Sequence, residues 1–417
     1  MKIQTLSNLY PPNVVGGYEV LCFQVMERLA ERGHPVTVLT SNYGGEHADY
    51  PGQKITRTLE LLATPDNIYS PFTADAAERD TINRKNIAIL KQTLAIERPD
   101  IVFVWNLHFL APSFLEAIEE ANVPSVYLLT DNWLAVFHNP KFVADYFAGQ
   151  VHAQAGGVKK FLKLWLRRLP WRRKQGTMIA ASAIFASCFM RDLYEQAGVG
   201  FERYAIVHHG ILPSGRQPFC ADRSSLINVQ ELRLLVAGRL VDIKGVHTAI
   251  DAMPRIIKAF PCLRVRLKIV GDDRDKPYLE RLKERIGTLK IQEQVTFVPP
   301  VPETDLPQLF QQNDVYLFPS LYEPFSLTLI HALRSGIPTV ASKAGGSPEI
   351  VLHKKTGMLF DPADAADLAR QVCCLVRDPV LRDGLSKTAR NFADQFTFEK
   401  MVDHVEAHLL SIYRERL

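Results

Sequence analysis

The chain has 417 residues, 47% hydrophobic and 23% charged, with a formal net charge of +4; that exceeds one ordinary core, predicts two domains and excludes wholesale disorder. No apolar run approaches the ~20 residues that span a bilayer, and "MKIQTLSNLYPP" carries no apolar stretch long enough for a secretory signal. Six scattered cysteines, none in a C-x-x-C spacing, read as reduced thiols and not as a disulfide framework or zinc site.

Taken in chain order, short β-branched runs alternate with amphipathic stretches. "KIQTLSN", "PVTVLTS", "IVFVWN", "VYLLTD", "IFAS" and "AIVHH" predict strands in the first half. "LRLLVAGR", "VRLKIVG", "VTFVPP", "VYLFPS", "PTVASK" and "GMLF" predict them in the second. The runs are largely apolar and seldom alternate, as expected of parallel strands covered on both faces. Helices are predicted over Glu19–Glu31, Arg79–Glu97, His247–Ala259 and Ala363–Val376. Strand–helix alternation implies doubly wound α/β layers. "GILPSGRQPFCADRSSLINVQ" lacks periodicity and is rich in Gly, Pro and Ser, so it reads as a linker. The expected division is 1–212, a linker at 213–230, 231–395, and a C-terminal helix at 396–417 free to pack back on the first domain. Ligands of such sheets bind at the carboxyl ends of the strands, so both rims are expected to face a central cleft.

The first loop, "NLYPPNVVGGYE", sets Gly16 and Gly17 between a strand and a helix. Adjacent glycines let backbone amides approach an anion at a helix start; a plain tight turn would read the same way. Between Asp145 and Asp192 the chain holds no acid. Within "VKKFLKLWLRRLPWRRK", Lys159, Lys160, Lys163, Arg167 and Arg168 flank a stripe that includes Trp165. That is the pattern of a helix lying on an anionic membrane, and equally of a helix docked on its own domain with a solvated basic face. Nucleic acid is not expected as a partner, because the basic residues stay in one segment.

In "VAGRLVDIKG" a strand ends at Ala237, Gly238 opens the loop, and Arg239 and Lys244 stand at the sheet's carboxyl edge. Two cations there can neutralise a diphosphate and stabilise its departure. In "YLFPSLYEPFSLTLIHAL", Glu323 occupies a loop and a helix opens near Ser326. Amides at Ser326, Leu327 and Thr328 would meet phosphate oxygens. His331 follows one turn behind Leu327, about 6 Å along the axis, where a ribose would lie. A helix histidine without a ligand fits the same spacing. "SKAGGSPEIV" supplies a second glycine loop, Gly345-Gly346, and Glu349, which can contact a ligand or merely cap a helix. Asp273 and Asp275 in "GDDRD" read as solvated turn acids rather than metal ligands.

Together with "ERGHPVTVLTS" and "TGMLFDP", these motifs run in order along nearly the whole chain. The sequence resembles the retaining nucleotide-sugar glycosyltransferases of family 4. The resemblance implies the α/β GT-B fold, two doubly wound Rossmann-like domains facing a central cleft. It implies that Arg239 and Lys244 grip a diphosphate and that Glu323 faces the donor sugar or its phosphate. It places Gly16-Gly17 near the phosphates and acceptor, and it implies no divalent metal and no cofactor beyond the nucleotide-sugar substrate. The second carboxylate of the family's E-x7-E motif, which would hold ribose hydroxyls, is His331 here. Thr130 stands where relatives often carry histidine, with Asp131 retained, and "WNLH" offers His108 as a further sugar or acceptor contact. Ser326 replaces a frequent glycine.

The expected function is therefore transfer of a sugar from a nucleoside diphosphate sugar, UDP-sugar ahead of GDP-sugar, to a hydroxyl acceptor. Retention is implied by the resemblance. A lipid-linked acceptor at the cytoplasmic face of the membrane would suit the basic segment. A GT-B epimerase or phosphorylase, or a binding protein that kept the fold without the chemistry, remain open at this point.

Overall fold

Residues 1–64, 75–151, 176–212 and 230–416 are described by a computed structural model. The basic segment Val158–Lys174 and all of the expected linker except Gln230 lie outside them. The described residues divide into two compact units. One draws on Met1–Ala144, Pro170–Val207 and Met401–Leu417, the other on Asp145–Leu169 and His208–Lys400.

The first unit holds β1 (Ile3–Leu6), β2 (Val36–Ser41), β3 (Gln53–Leu59), β4 (Ile101–Val104), β5 (Ser125–Leu129), β6 (Thr177–Phe185) and β7 (Val199–Ile206). They form one parallel sheet in the order β3-β2-β1-β4-β5-β6-β7. β1, β2, β4 and β5 are buried at every position, which is why their sequences do not alternate. β3 was not expected from the sequence. Its "QKITRTL" carries Lys54 and Arg57 on a partly exposed edge, and an edge strand tolerates charge that a central one does not. The helix Gly17–Glu31 buries Leu21, Cys22, Val25, Met26 and Leu29, one stripe of its surface.

The second unit holds β8 (Glu231–Ala237), β9 (Arg264–Val270), β10 (Val295–Val298), β11 (Val315–Phe318), β12 (Thr339–Ser342) and β13 (Met358–Phe360). These also pair in parallel, in the order β10-β9-β8-β11-β12-β13. The helix Val246–Ala259 contributes Ala249, Ile250, Met253 and Ile256 to a core shared with Leu234, Leu267, Ile269 and Leu317. In both sheets the winding reverses beside the first strand, between β1 and β4 and between β8 and β11. These are the switch points at which open α/β sheets leave a crevice.

Two glycines bring loops together at the second switch point. A Cβ on Gly271 would lie 1.8 Å from the Gly238 carbonyl oxygen, so the loops after β8 and β9 run side by side. The Gly238 and Leu240 amides donate to Val270 and Asp272 carbonyls across that seam, at 3.0 and 2.9 Å. Gly345 has φ +59°, and a Cβ there would lie 2.0 Å from the Glu323 carbonyl oxygen. The same oxygen accepts the Gly346 amide at 2.8 Å. The glycine loop after β12 thus fixes the backbone that carries Glu323.

The terminal helix Phe398–Arg414 groups with the first unit from Met401 onward. Glu406 pairs there with Arg32 at 2.5 Å and with His34 at 2.7 Å.

Candidate active site

β8 ends at Ala237 and β11 at Phe318, on adjacent strands of the second sheet. Between their ends lies a cavity of about 130 Å³. From the β8 side it is lined by Gly238, Arg239 and Lys244; from the β11 side by Ser320, Glu323 and Phe325; and from the helix start by Ser326, Leu327 and Thr328. Seven residues expected from the sequence to bind a donor meet here: Gly238, Arg239, Lys244, Glu323, Ser326, Leu327 and Thr328.

Local structure explains how each is aimed. Lys244 ends a single 3-10 turn, Asp242–Lys244. Its Nζ donates to Glu323 Oε2 at 2.6 Å, and the Glu323 side chain is only 8% exposed. The loop between β11 and the helix is pinned on both sides: the Leu321 amide donates to Ile243 O at 2.8 Å, and Ser342 Oγ donates to Ser320 O at 2.6 Å. The helix then runs over Leu327–Ser335, with Ser326 as its N-cap. Ser326 Oγ accepts the Leu329 amide at 3.2 Å. Leu327 and Thr328, at the first two helical positions, have amides with no acceptor within the helix. The helix dipole adds partial positive charge at that end. Two cations and a helix start around a small cavity make a site for an anion with several oxygens.

His331 does not line this cavity. It is buried, and its Nε2 lies 2.7 Å from Glu303 Oε1. Glu303 opens the 3-10 turn Glu303–Asp305 after β10, with its side chain 61% exposed. The histidine holds the Glu303 carboxyl below the usual carboxylate range. Sequence reasoning missed Glu303, because a lone acid in a polar turn carries no signal.

Glu349 points elsewhere, with Oε2 3.0 Å from His208 Nε2. Asp275 caps the helix Lys276–Leu289 by accepting the Tyr278 amide at 3.1 Å, and Asp273 pairs with Lys276 at 2.8 Å. Among the described residues no group of three or more His, Cys, Asp or Glu side chains is placed to hold a metal.

In the first unit, Gly16 caps the helix that Gly17 begins. Glu19 folds back and accepts the Gly16 amide at 2.9 Å. A Cβ on Gly16 or Gly17 would meet nothing within 4 Å, so packing inside the protein does not demand glycine there. His108 is exposed just beyond β4, its amide donating to Asn106 Oδ1 at 2.9 Å. Asn106 also reaches Asp131 Oδ2 at 3.4 Å, linking the ends of β4 and β5. The Tyr18 hydroxyl lies 2.6 Å from both the Trp105 and Leu128 carbonyl oxygens. Desolvation at this strand end, with a contribution from the Glu19 charge, pushes the Asp131 carboxyl up to about 6 against the opposing Trp133 amide. Asn106, Tyr18 and Glu19 were not singled out in the sequence. The membrane-facing candidates Lys159, Lys160, Lys163, Trp165, Arg167 and Arg168 lie outside the described residues.

Residues 221–392 match the family model described as glycosyl transferases group 1, and residues 15–214 match the model for glycosyltransferase family 4. The chain belongs to the group 1 glycosyltransferases. This glycosyltransferase is 25% identical over 435 residues to an uncharacterized glycosyltransferase of Methanocaldococcus jannaschii, covering 99% of the chain and 98% of that protein. Sucrose-phosphate synthase from Thermosynechococcus elongatus superposes with a TM-score of 0.73 at 20% identity, covering 99% of each chain. HepE of Anabaena, solved with UDP and glucose, superposes with a TM-score of 0.64 at 21% identity, covering 99% of this chain and 100% of that one. With two parallel Rossmann-like sheets, the likeness to these structures shows the GT-B fold. Among the described residues no helix is long and apolar enough to cross a membrane.

Proposed function

We propose that this glycosyltransferase takes its sugar from a nucleoside diphosphate sugar, with UDP as the first nucleotide to test, and passes it to a hydroxyl acceptor with retention. The observation that carries the reading is the cavity between β8 and β11. There Arg239, Lys244 and the Leu327 and Thr328 amides converge on a space that suits a diphosphate. In the transfer, the bond between the sugar's anomeric carbon and the terminal phosphate oxygen breaks. A bond from that carbon to the acceptor oxygen forms, and the acceptor's proton passes to the departing phosphate. Arg239, Lys244 and the helix start stabilise the charge that develops on the leaving group, so no divalent metal is required. Glu323, fixed by Lys244 and the Gly345-Gly346 loop, faces the donor's sugar–phosphate junction. Gly16-Gly17, His108 and Asp131 stand at the first unit's strand ends and contact the sugar or acceptor.

The acceptor is proposed to be lipid-linked, with the basic segment Val158–Lys174 resting on the inner face of an anionic membrane. The nine basic residues between Asp145 and Asp192 outweigh the net +4 and leave the rest of the chain at −5. The test is release of UDP from a panel of UDP-sugars with and without glycolipid acceptor and with chelator present. Acceptor-dependent release that survives chelation supports the reading. Acceptor-independent conversion of the sugar to its epimer, or release only with inorganic phosphate, replaces it with epimerase or phosphorylase chemistry.

A further inference from the structure

At the helix start proposed to hold the diphosphate, the side chain one turn further along is His331, buried and with its Nε2 at 2.7 Å from Glu303 Oε1. An ionised carboxylate can only accept, so the imidazole carries its proton on Nε2 and donates it. The histidine is 6% exposed while the Glu303 side chain is 61% exposed. A buried donor therefore holds, by one oxygen, the carboxylate of a largely exposed side chain. The two residues come from separate loops, 28 positions apart, and the carboxylate stands at the rim of the same sheet, beyond β10.

We infer that Glu303 is the residue that recognises the ribose diol of the nucleotide, and that His331 is a positioning residue that fixes its carboxylate. The inference rests on the diphosphate site proposed above. A diphosphate seated on the Leu327 and Thr328 amides brings its ribose about one helical turn, roughly 5 Å, along the helix. There a carboxylate accepts hydrogen bonds from vicinal hydroxyls, a charge-assisted contact stronger than a neutral one. Residue 331 in this chain cannot offer a carboxylate itself, but it presents one drawn from another loop. The selectivity is for the 2′ and 3′ hydroxyls and is blind to the base.

The test is calorimetric titration of the full-length protein with UDP and GDP, each compared with its 2′,3′-dideoxy counterpart. Wild type is expected to favour the ribose form by about tenfold or more, as charge-assisted bonds to two hydroxyls imply. Glu303→Ala should bring that ratio near one while leaving affinity for the dideoxy form unchanged. His331→Ala should lower the ratio in part, and His331→Gln, whose amide can still donate to Glu303, should keep most of it. Adding His331→Glu to Glu303→Ala should restore discrimination, an outcome a merely structural role for position 331 would not give. An unchanged ratio in Glu303→Ala overturns the inference and leaves the diphosphate site standing. Loss of the ratio in His331→Ala but not in Glu303→Ala also overturns it, in favour of direct ribose contact by the histidine. Failure of wild type to bind either diphosphate overturns this inference together with the diphosphate site.

Discussion

Replacing Lys244 and Glu323 one at a time separates binding from catalysis, because the two side chains are paired with each other at the site. Lys244 Nζ sits 2.6 Å from Glu323 Oε2, with side chains 22% and 8% exposed. Breaking a fully buried pair costs about 3–5 kcal/mol, most of it from the charge left alone. Lys244 is partly exposed and water enters when its stem is removed, so Lys244→Ala should cost about 2 kcal/mol of stability, below that buried limit. It should also remove a charge-assisted contact of about 1.5–3 kcal/mol to a diphosphate, or roughly 10–150-fold in affinity. Glu323→Gln acts in the opposite direction. It keeps the shape of the side chain, releases Lys244 for phosphate and removes a negative charge from beside it. UDP affinity should hold or rise by about 1 kcal/mol, roughly fivefold, while turnover falls. Calorimetry with UDP measures the first and acceptor-dependent UDP release the second, with thermal unfolding as the check on folding. A Glu323→Gln protein that loses UDP affinity as severely as Lys244→Ala would refute the assignment of the lysine to phosphate and the glutamate to the transfer step.

Gly345→Ala should destabilise the second unit by at least about 2 kcal/mol, since a left-handed residue with a Cβ costs about 1–2 kcal/mol and the Cβ meets the Glu323 carbonyl; unaltered thermal unfolding would contradict this. Gly16→Ala, whose Cβ meets nothing within 4 Å, should leave unfolding unchanged but impair transfer, and normal turnover would remove Gly16 from the proposed acceptor side. Asp131 has a folded-state value of about 6 against 3.8 for the free side chain, so the folded protein binds more protons than the unfolded chain between pH 4 and 6 and loses stability as pH rises through that window. Asp131→Asn should therefore be more stable than wild type above pH 6, by up to about 3 kcal/mol before solvent screening of a partly exposed group, and the difference should vanish near pH 4 in denaturant titrations; a constant difference across pH would refute the assigned cause. Replacing Lys159, Lys160, Arg167 and Arg168 by Gln should weaken binding to anionic vesicles at low salt without changing UDP affinity, because exposed charge attraction is screened by salt, and wild type that ignores such vesicles would end the membrane proposal.

The parts of the site legible in the sequence are those in which one short segment carries both the strand end and the ligand group. Gly238, Arg239 and Lys244 follow a buried strand directly, and Glu323 and Ser326 follow another, so strand-end logic alone places them at one rim. Glu303 could not be found this way. It is an exposed acid in a polar turn, and its meaning comes from a buried histidine 28 positions away. The same holds in the first unit, where Asn106 and Tyr18 gain their roles from neighbours on other strands. β3 escaped because an edge strand with Lys54 and Arg57 lacks the apolar run that marks the others. The two central switch points, by contrast, follow from the unbroken burial of β1, β4 and β11 and of the last four residues of β8, Leu234–Ala237, which their apolar sequences already express.

The central claim is that the cavity between β8 and β11 is a nucleoside diphosphate site, and calorimetric titration of UDP into wild type and the Arg239→Ala/Lys244→Ala double variant tests it most directly. The account predicts saturable one-to-one binding by wild type and at least about a hundredfold loss in a double variant that still unfolds cooperatively, from two charge-assisted contacts of about 1.5–3 kcal/mol each. Equal affinity in the two folded proteins, or no binding of UDP or GDP by wild type, would contradict it.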